Sequence, residues 1–111
     1  MRKIALVTGA TSGIGLATAE MLAASDYDII ITGRRENRLQ EASLRLEREF
    51  GVRVLPLSFD VRSYNEVDKY LGNLPDKWQH IDVLVNNAGL AVGLNRVDEG
   101  VVDDWERMID T

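Results

Sequence analysis

Short apolar runs alternate along the chain with longer segments in which apolar residues recur at helical spacing. The short runs are typical of buried strands, and the longer segments are typical of amphipathic helices. Because the two kinds of segment alternate, the pattern predicts an α/β fold in which helices cross over between parallel strands. The predicted strands are Lys3–Thr8, Asp28–Thr32, Val52–Phe59 and Ile81–Val85.

Local signals mark several ends of the predicted elements. Gly51 is placed to end the second helix, and Ser63 with Glu66 forms a capping box for the third. Pro56 removes a backbone donor, which predicts that the third strand lies at an edge of the sheet. The predicted helices run from Ser12 or Gly13 to about Ser25, from about Asn37 to Phe50, from Ser63 to near Gly72, and onward from Asp103 or Asp104.

The residues with functional potential follow the predicted strands. Right-handed crossovers give the strand order 3-2-1-4 and place a ligand beyond the carboxyl ends of the strands. Four polar or glycine-rich segments fall at those ends, so we expect one shared site there. They are Gly9–Gly15, Gly33–Arg35, Asp60 and Asn86–Gly89.

The first of these segments has the spacing Gly-x-x-x-Gly-x-Gly, formed by Gly9, Gly13 and Gly15. Glycines let the backbone turn sharply and approach a ligand closely, while the free N–H groups of the following helix attract an anion. A dinucleotide pyrophosphate is the expected occupant. Taken alone, the motif is also compatible with an ordinary tight turn between a strand and a helix.

Arg34 and Arg35 follow the second strand, where a dinucleotide site meets the adenosine ribose. An acidic residue there selects NAD, whereas arginine suits the 2′-phosphate of NADP. One arginine–phosphate contact contributes about 1.5–3 kcal/mol, enough to favour NADP roughly tenfold. Alternatively, both arginines are solvated or pair with Glu36 and the other acids of the second helix.

Asp60 and the asparagine segment offer further contacts. Asp60 can accept from the exocyclic amine of adenine, or it can cap the third helix together with Ser63 or pair with Arg62. We expect Asn86 to have a structural role and Asn87 to contact the ligand, while Ala88 and Gly89 leave room for a ring. Such a turn can also be simple loop chemistry.

Composition narrows the classes of partner. At 111 residues the chain is expected to form a single domain, and its net charge of -5 disfavours nucleic acid and anionic membranes. We expect no metal, because the chain has no cysteine and only one histidine, His80, placed at the opposite edge of the sheet. The first apolar run is too short for a signal peptide or a spanning helix, which predicts a cytoplasmic protein.

Three motifs together resemble the classical short-chain dehydrogenase/reductase family. They are Thr8-Gly9-x-x-x-Gly13-x-Gly15, Asp60 and Asn86-Asn87-Ala88-Gly89. Within that family the chain resembles the bacterial NADP-dependent 3-hydroxy acid dehydrogenases, which oxidise serine and allo-threonine. The matching segments are Thr32–Leu39, Phe59–Arg62, Ile81–Ala91 and Asp104–Thr111.

The resemblance implies a partial Rossmann fold, which is a doubly wound parallel sheet, with NADP as cofactor. It implies hydride transfer between NADP(H) and a small hydroxy or keto substrate, with a homotetramer as the full-length form. The implied cofactor contacts are Gly9, Thr11, Ser12, Gly13, Ile14, Gly15, Arg34, Arg35, Asp60, Val61, Asn87, Ala88 and Gly89.

The catalytic residues of the family find no match in this chain. The family uses an asparagine, a serine and a Tyr-x-x-x-Lys pair, whereas Tyr27, Tyr64 and Tyr70 have no lysine four residues later. We therefore expect residues 1–111 to be one NADP-binding half-domain, truncated before the catalytic segment and inactive alone. The alternative is a standalone module that binds adenine dinucleotides, or has a structural role, without catalysis.

Overall fold

A computed structural model describes residues 2–10 and 13–86 of the chain. In this part, parallel strands alternate with helices, and the sheet order is β3-β2-β1-β4. The predicted α/β fold and strand order are therefore confirmed. The elements are β1 (Ile4–Thr8), α1 (Gly13–Ala24), β2 (Asp28–Gly33), α2 (Glu36–Phe50), β3 (Val54–Ser58), α3 (Tyr64–Leu71), a short 3-10 helix (Asp76–Trp78) and β4 (Val83–Asn86).

The central strand β1 pairs in parallel with β2 on one side and β4 on the other. Leu6 marks the shared register, since it lies opposite Ile30 in β2 and Leu84 in β4. Every residue of β1 and β2 is buried, which explains why both strands are continuous apolar runs. β3 lies at one edge of the described sheet, as Pro56 predicted.

Each face of the sheet carries its own hydrophobic core. Successive strand residues point to opposite faces, so Ile29 and Ile31 join one core while Ile30 joins the other. The first core packs against α1 and α2 through residues that include Ala19 and Leu39. The second packs against α3 and the 3-10 helix. Its helical members are Val67, Leu71 and Trp78.

The predicted ends of the elements agree with the structure to within one or two residues. Gly51 ends α2 in a left-handed conformation (φ 68°), and the Ser63 hydroxyl accepts from the Glu66 N–H at 3.4 Å, as predicted. β3 and β4 both begin two residues later than predicted. Val52 and Ile81 are buried in the cores but lie outside the strand ladders, so apolar burial extends beyond hydrogen-bonded pairing. The predicted helix at Asp103 or Asp104 lies outside the described residues.

Candidate functional site

The carboxyl ends of the strands meet at one edge of the sheet, as the topology predicts. Backbone hydrogen bonds link neighbouring segments there. The Ala10 N–H donates to the Thr32 carbonyl at 3.0 Å, and the Phe59 N–H donates to the Gly33 carbonyl at 3.0 Å. The segments that follow β1, β2 and β3 are therefore joined side by side, which is the arrangement a long dinucleotide needs.

Gly9 and Gly15 make the turn from β1 into α1 possible. Gly9 has a φ of 64°, a left-handed conformation that costs glycine little and side-chain-bearing residues more. Helix α1 rests directly on this turn, since a Cβ at Gly15 would overlap the carbonyl oxygen of Gly9. Both glycines are therefore required by the local packing.

Gly13, the first residue of α1, has different surroundings. A Cβ added there would have no heavy atom within 4 Å, apart from its chain neighbours and its own helix backbone. Ile14 beside it is 76 % exposed. The first position of α1 is thus not crowded by the described residues, and it lies beside first-turn N–H groups that have no intrahelical partner. Thr11 and Ser12, also predicted to contact the cofactor, lie outside the described residues.

Thr8 and Asn86 join the ends of β1 and β4. The Thr8 hydroxyl donates to the Asn86 side-chain oxygen at 3.0 Å, and both residues are buried. They are also partners in the strand register. This contact supports the structural role predicted for Asn86. The predicted ligand contacts Asn87, Ala88 and Gly89 lie outside the described residues.

Arg34 and Arg35 are exposed at the end of β2. Within residues 2–10 and 13–86 neither guanidinium forms an ion pair, so the alternative pairing with Glu36 or other α2 acids is not found there. Arg35 is the N-cap residue of α2, and its side chain makes no capping hydrogen bond. Both guanidinium groups are therefore exposed at the carboxyl edge of the sheet without an ion-pair partner among the described acids.

Asp60 pairs with Arg62, which was one of its predicted alternatives. Its Oδ1 accepts from the Arg62 N–H at 2.9 Å and from Nε at 3.2 Å, while Oδ2 accepts from Nη2 at 3.2 Å. These bonds lower the pKa of Asp60, with a smaller contribution from the positive charge of Arg34. The cap of α3 is Ser63, so Asp60 does not have the predicted capping alternative.

The residues on either side of Asp60 anchor it. Val61 is buried in the second core, so its main chain, and not its side chain, remains for a ligand. The Phe59 ring stacks on Tyr70 of α3, with centroids 4.7 Å apart and planes 6° apart. Sequence reasoning missed this stack, because no spacing signal connects a strand end to a side chain in the next helix.

At the amino edge of the sheet, in contrast to the carboxyl edge, the charged side chains are paired. Asp28 is 1 % exposed and accepts from the Arg53 N–H at 2.8 Å, Nε at 3.3 Å and Nη2 at 3.2 Å. Asp82 accepts from the Ile4 N–H at 2.8 Å and contacts the exposed His80 at 3.3 Å. The polar groups at this edge satisfy one another.

Two further features bear on the class of protein. Among the described residues, no helix has the length and apolar content needed to cross a membrane. The same part of the chain contains no group of three or more acidic, histidine or cysteine side chains arranged to hold a metal ion.

A family model described as short chain dehydrogenase matches residues 3–111. The chain belongs to the short-chain dehydrogenase family. The resemblance indicated by the glycine motif, Asp60 and the Asn86–Gly89 segment is thereby confirmed.

Curated members of the family are similar to this short-chain dehydrogenase chain along nearly its whole length. It is 48% identical over 107 residues to a probable NADP-dependent dehydrogenase of Haemophilus influenzae, covering 96% of this chain and 41% of the relative. It is 46% identical over 108 residues to the NADP-dependent 3-hydroxy acid dehydrogenase YdfG of Salmonella typhi, covering 97% and 42%. The chain thus spans about two fifths of these relatives, at 41% and 42% of their length.

A solved short-chain dehydrogenase structure is similar in fold. L-sorbose reductase from Gluconobacter frateurii, complexed with NADPH and L-sorbose, superposes with a TM-score of 0.74 at 42% sequence identity. The match covers 79% of this chain and 34% of the reductase.

Proposed function

We propose that this chain binds NADP at the carboxyl edge of its sheet, as the dinucleotide-binding part of a short-chain oxidoreductase. The observation that carries the proposal is the pair of exposed guanidinium groups, Arg34 and Arg35, free of described acids beside an open glycine turn. Family membership supports it, and so do the two curated relatives whose names specify NADP.

Each described segment fits one part of the cofactor. The N–H groups at the start of α1 would hold the pyrophosphate in the open space at Gly13, assisted by Thr11 and Ser12. Arg34 and Arg35 would hold the 2′-phosphate. The fit rests on the left-handed Gly9 turn and on the absence of described atoms within 4 Å of a Cβ at Gly13.

The remaining proposed contacts are with the adenine and with the nicotinamide half of the cofactor. Asp60 would accept from the adenine amine, with the main chain of Val61 beside it, while Asn87, Ala88 and Gly89 would face the nicotinamide half. When bound, NADP supplies the nicotinamide ring that exchanges a hydride with a hydroxy or keto substrate. The similarity to 3-hydroxy acid dehydrogenases favours a 3-hydroxy acid as that substrate.

The chain itself is proposed to contribute binding without catalysis. None of its tyrosines is followed four residues later by a lysine, so the family's proton-transfer pair has no counterpart here. We propose that residues 1–111 form one half-domain that binds NADP and does not turn over substrate alone. Assembly of the whole enzyme as a cytoplasmic homotetramer is part of the same proposal.

Calorimetric titration of the chain with NADP, NAD and ATP tests the function. NADP should bind at least about tenfold more tightly than NAD, because of the arginine–phosphate contact. Arg34→Asp combined with Arg35→Ala should weaken NADP at least about tenfold more than NAD. Arg48→Ala, at the far end of α2, is the matched control and should leave the ratio unchanged. Equal affinity for all three ligands would refute the proposal.

A further inference from the structure

Asp60 and Arg34 are neighbours across two strand ends. The Gly33 carbonyl accepts from the Phe59 N–H at 3.0 Å, and Arg34 and Asp60 are the next residues along the chain after this bonded pair. The charge of Arg34 acts on Asp60, since it contributes to the lowered pKa of that carboxyl. The carboxylate of Asp60 therefore follows the strand end adjacent to that of Arg34, whose guanidinium is proposed to hold the 2′-phosphate.

Such a neighbour is a problem for phosphate binding. A free carboxylate forms paired hydrogen bonds with arginine readily, and it also repels a nearby phosphate. If Asp60 were free, it would compete with the 2′-phosphate for Arg34. Yet Arg34 forms no ion pair with any acid of the described chain.

Arg62 accounts for this absence of pairing. Its Nε and Nη2 contact the two oxygens of Asp60 separately, each at 3.2 Å. Its main-chain N–H holds Oδ1 at 2.9 Å, so the carboxylate is tied to a turn of its own segment. Both carboxylate oxygens are thus directed toward Arg62.

We propose that Arg62 is a positioning residue that sets the preference for NADP over NAD by holding Asp60 away from Arg34. Arg62 acts through Asp60 and Arg34 and does not itself bind the phosphate. The inference rests on the proposed function, and it deepens that function by adding a specificity determinant outside the two arginines that follow β2.

Calorimetric titration with NADP and NAD tests the role of Arg62 in a set of variants of the chain. NAD is an internal reference, because the two dinucleotides share the adenine that Asp60 would contact. Arg62→Ala should lower the NADP to NAD affinity ratio about fivefold, as Asp60 turns to Arg34. Adding Asp60→Asn should restore the wild-type ratio within about twofold, even though both affinities fall.

A second background separates this mechanism from a simple loss of positive charge. In an Arg34→Ala chain, Arg62→Ala should change the ratio less than about twofold, because the guanidinium through which it acts is gone. Arg62→Gln repeats the measurement with a longer neutral side chain, and circular dichroism shows that each variant is folded. Arg48→Ala is again the matched control for the loss of an exposed arginine.

The outcomes distinguish the two proposals. An unchanged ratio in both Arg62→Ala and Arg62→Gln would overturn the role of Arg62 and leave the proposed function intact. A reduced ratio that Asp60→Asn does not restore, or that persists undiminished without Arg34, would mean that Arg62 acts on the phosphate directly and would also overturn it. Failure of the wild-type chain to bind NADP would refute the proposed function, and this inference with it.

Discussion

The two edges of the sheet differ in whether their charged side chains have partners. At the amino edge, the buried carboxylate of Asp28 accepts three hydrogen bonds from Arg53, and Asp82 accepts from the Ile4 N–H. At the carboxyl edge, Arg34 and Arg35 have no acidic partner among the described residues. Polar groups that satisfy one another stabilise a fold, whereas exposed cations without an acidic partner are available to an anionic ligand.

The carboxyl edge also contains one exception. The Asp60–Arg62 pair resembles the Asp28–Arg53 pair, since in both the carboxylate accepts hydrogen bonds from the main-chain N–H, Nε and Nη2 of one arginine. The two pairs differ in burial: the Asp28 side chain is 2% exposed and that of Asp60 is 30% exposed. The pair with the buried carboxylate is therefore expected to act on stability, and the pair with the partly exposed carboxylate on its charged neighbours.

The largest effect is expected for Gly15→Ala. The added methyl group would overlap the Gly9 carbonyl oxygen, and its nearest neighbours are all backbone atoms of Gly9 and Ala10, so no flexible side chain can yield. The free energy of unfolding should fall by at least about 3 kcal/mol, and dinucleotide binding should be lost. Urea unfolding measures the first effect. The matched control Gly13→Ala has free space for its methyl group and should unfold like the wild type.

Gly13→Val should separate binding from stability at the same turn. The side chain would enter the open space proposed for the pyrophosphate, so affinity for both NADP and NAD should fall at least about a hundredfold. The urea midpoint should stay within the range of Gly13→Ala, because a Cβ at this position meets no heavy atom of the described residues within 4 Å. Retained affinity in a folded Gly13→Val chain would place the pyrophosphate elsewhere.

A smaller effect is expected at the amino edge from Asp28→Ala. Loss of the carboxylate leaves the Arg53 N–H and guanidinium without their partner, which should cost about 2 kcal/mol in urea unfolding. The NADP to NAD ratio should not change, since this edge is remote from the proposed site. Asp26→Asn is the control, because its partner Arg2 is exposed and Asn tolerates the left-handed φ of 69°. A change in the ratio would refute the division between the two edges.

Much of the fold follows from the sequence because burial and strand pairing coincide in the central strands. All residues of β1 and β2 are buried, so the apolar runs predicted both strands and, with the crossover rule, their order. The prediction was less accurate at the ends of β3 and β4. Val52 and Ile81 are apolar residues buried in the cores, although neither belongs to a strand ladder. Their apolar character therefore extended the predicted strands too far.

In the candidate site, too, the features set by chain topology were predictable and those set by packing were not. Chain topology places Gly9, Arg34 and Asp60 at one edge, so their convergence was predictable from sequence order alone. The Phe59–Tyr70 stack and the buried Asp28–Arg53 pair were not predicted. Both contacts depend on how separate elements pack against each other. The spacing of residues within one element does not predict such contacts.

The backbone hydrogen bonds between neighbouring strand ends affect the rate at which a dinucleotide associates and the entropy lost when it binds. The Ala10 N–H donates to the Thr32 carbonyl, and the Phe59 N–H donates to the Gly33 carbonyl, at 3.0 Å in both cases. Neighbouring loops are therefore hydrogen-bonded to each other before any ligand binds. The separation between the proposed pyrophosphate site and the proposed ribose-phosphate site is then fixed by the sheet itself. Such preorganisation lowers the entropy lost on association and favours docking of the dinucleotide without prior rearrangement of the scaffold.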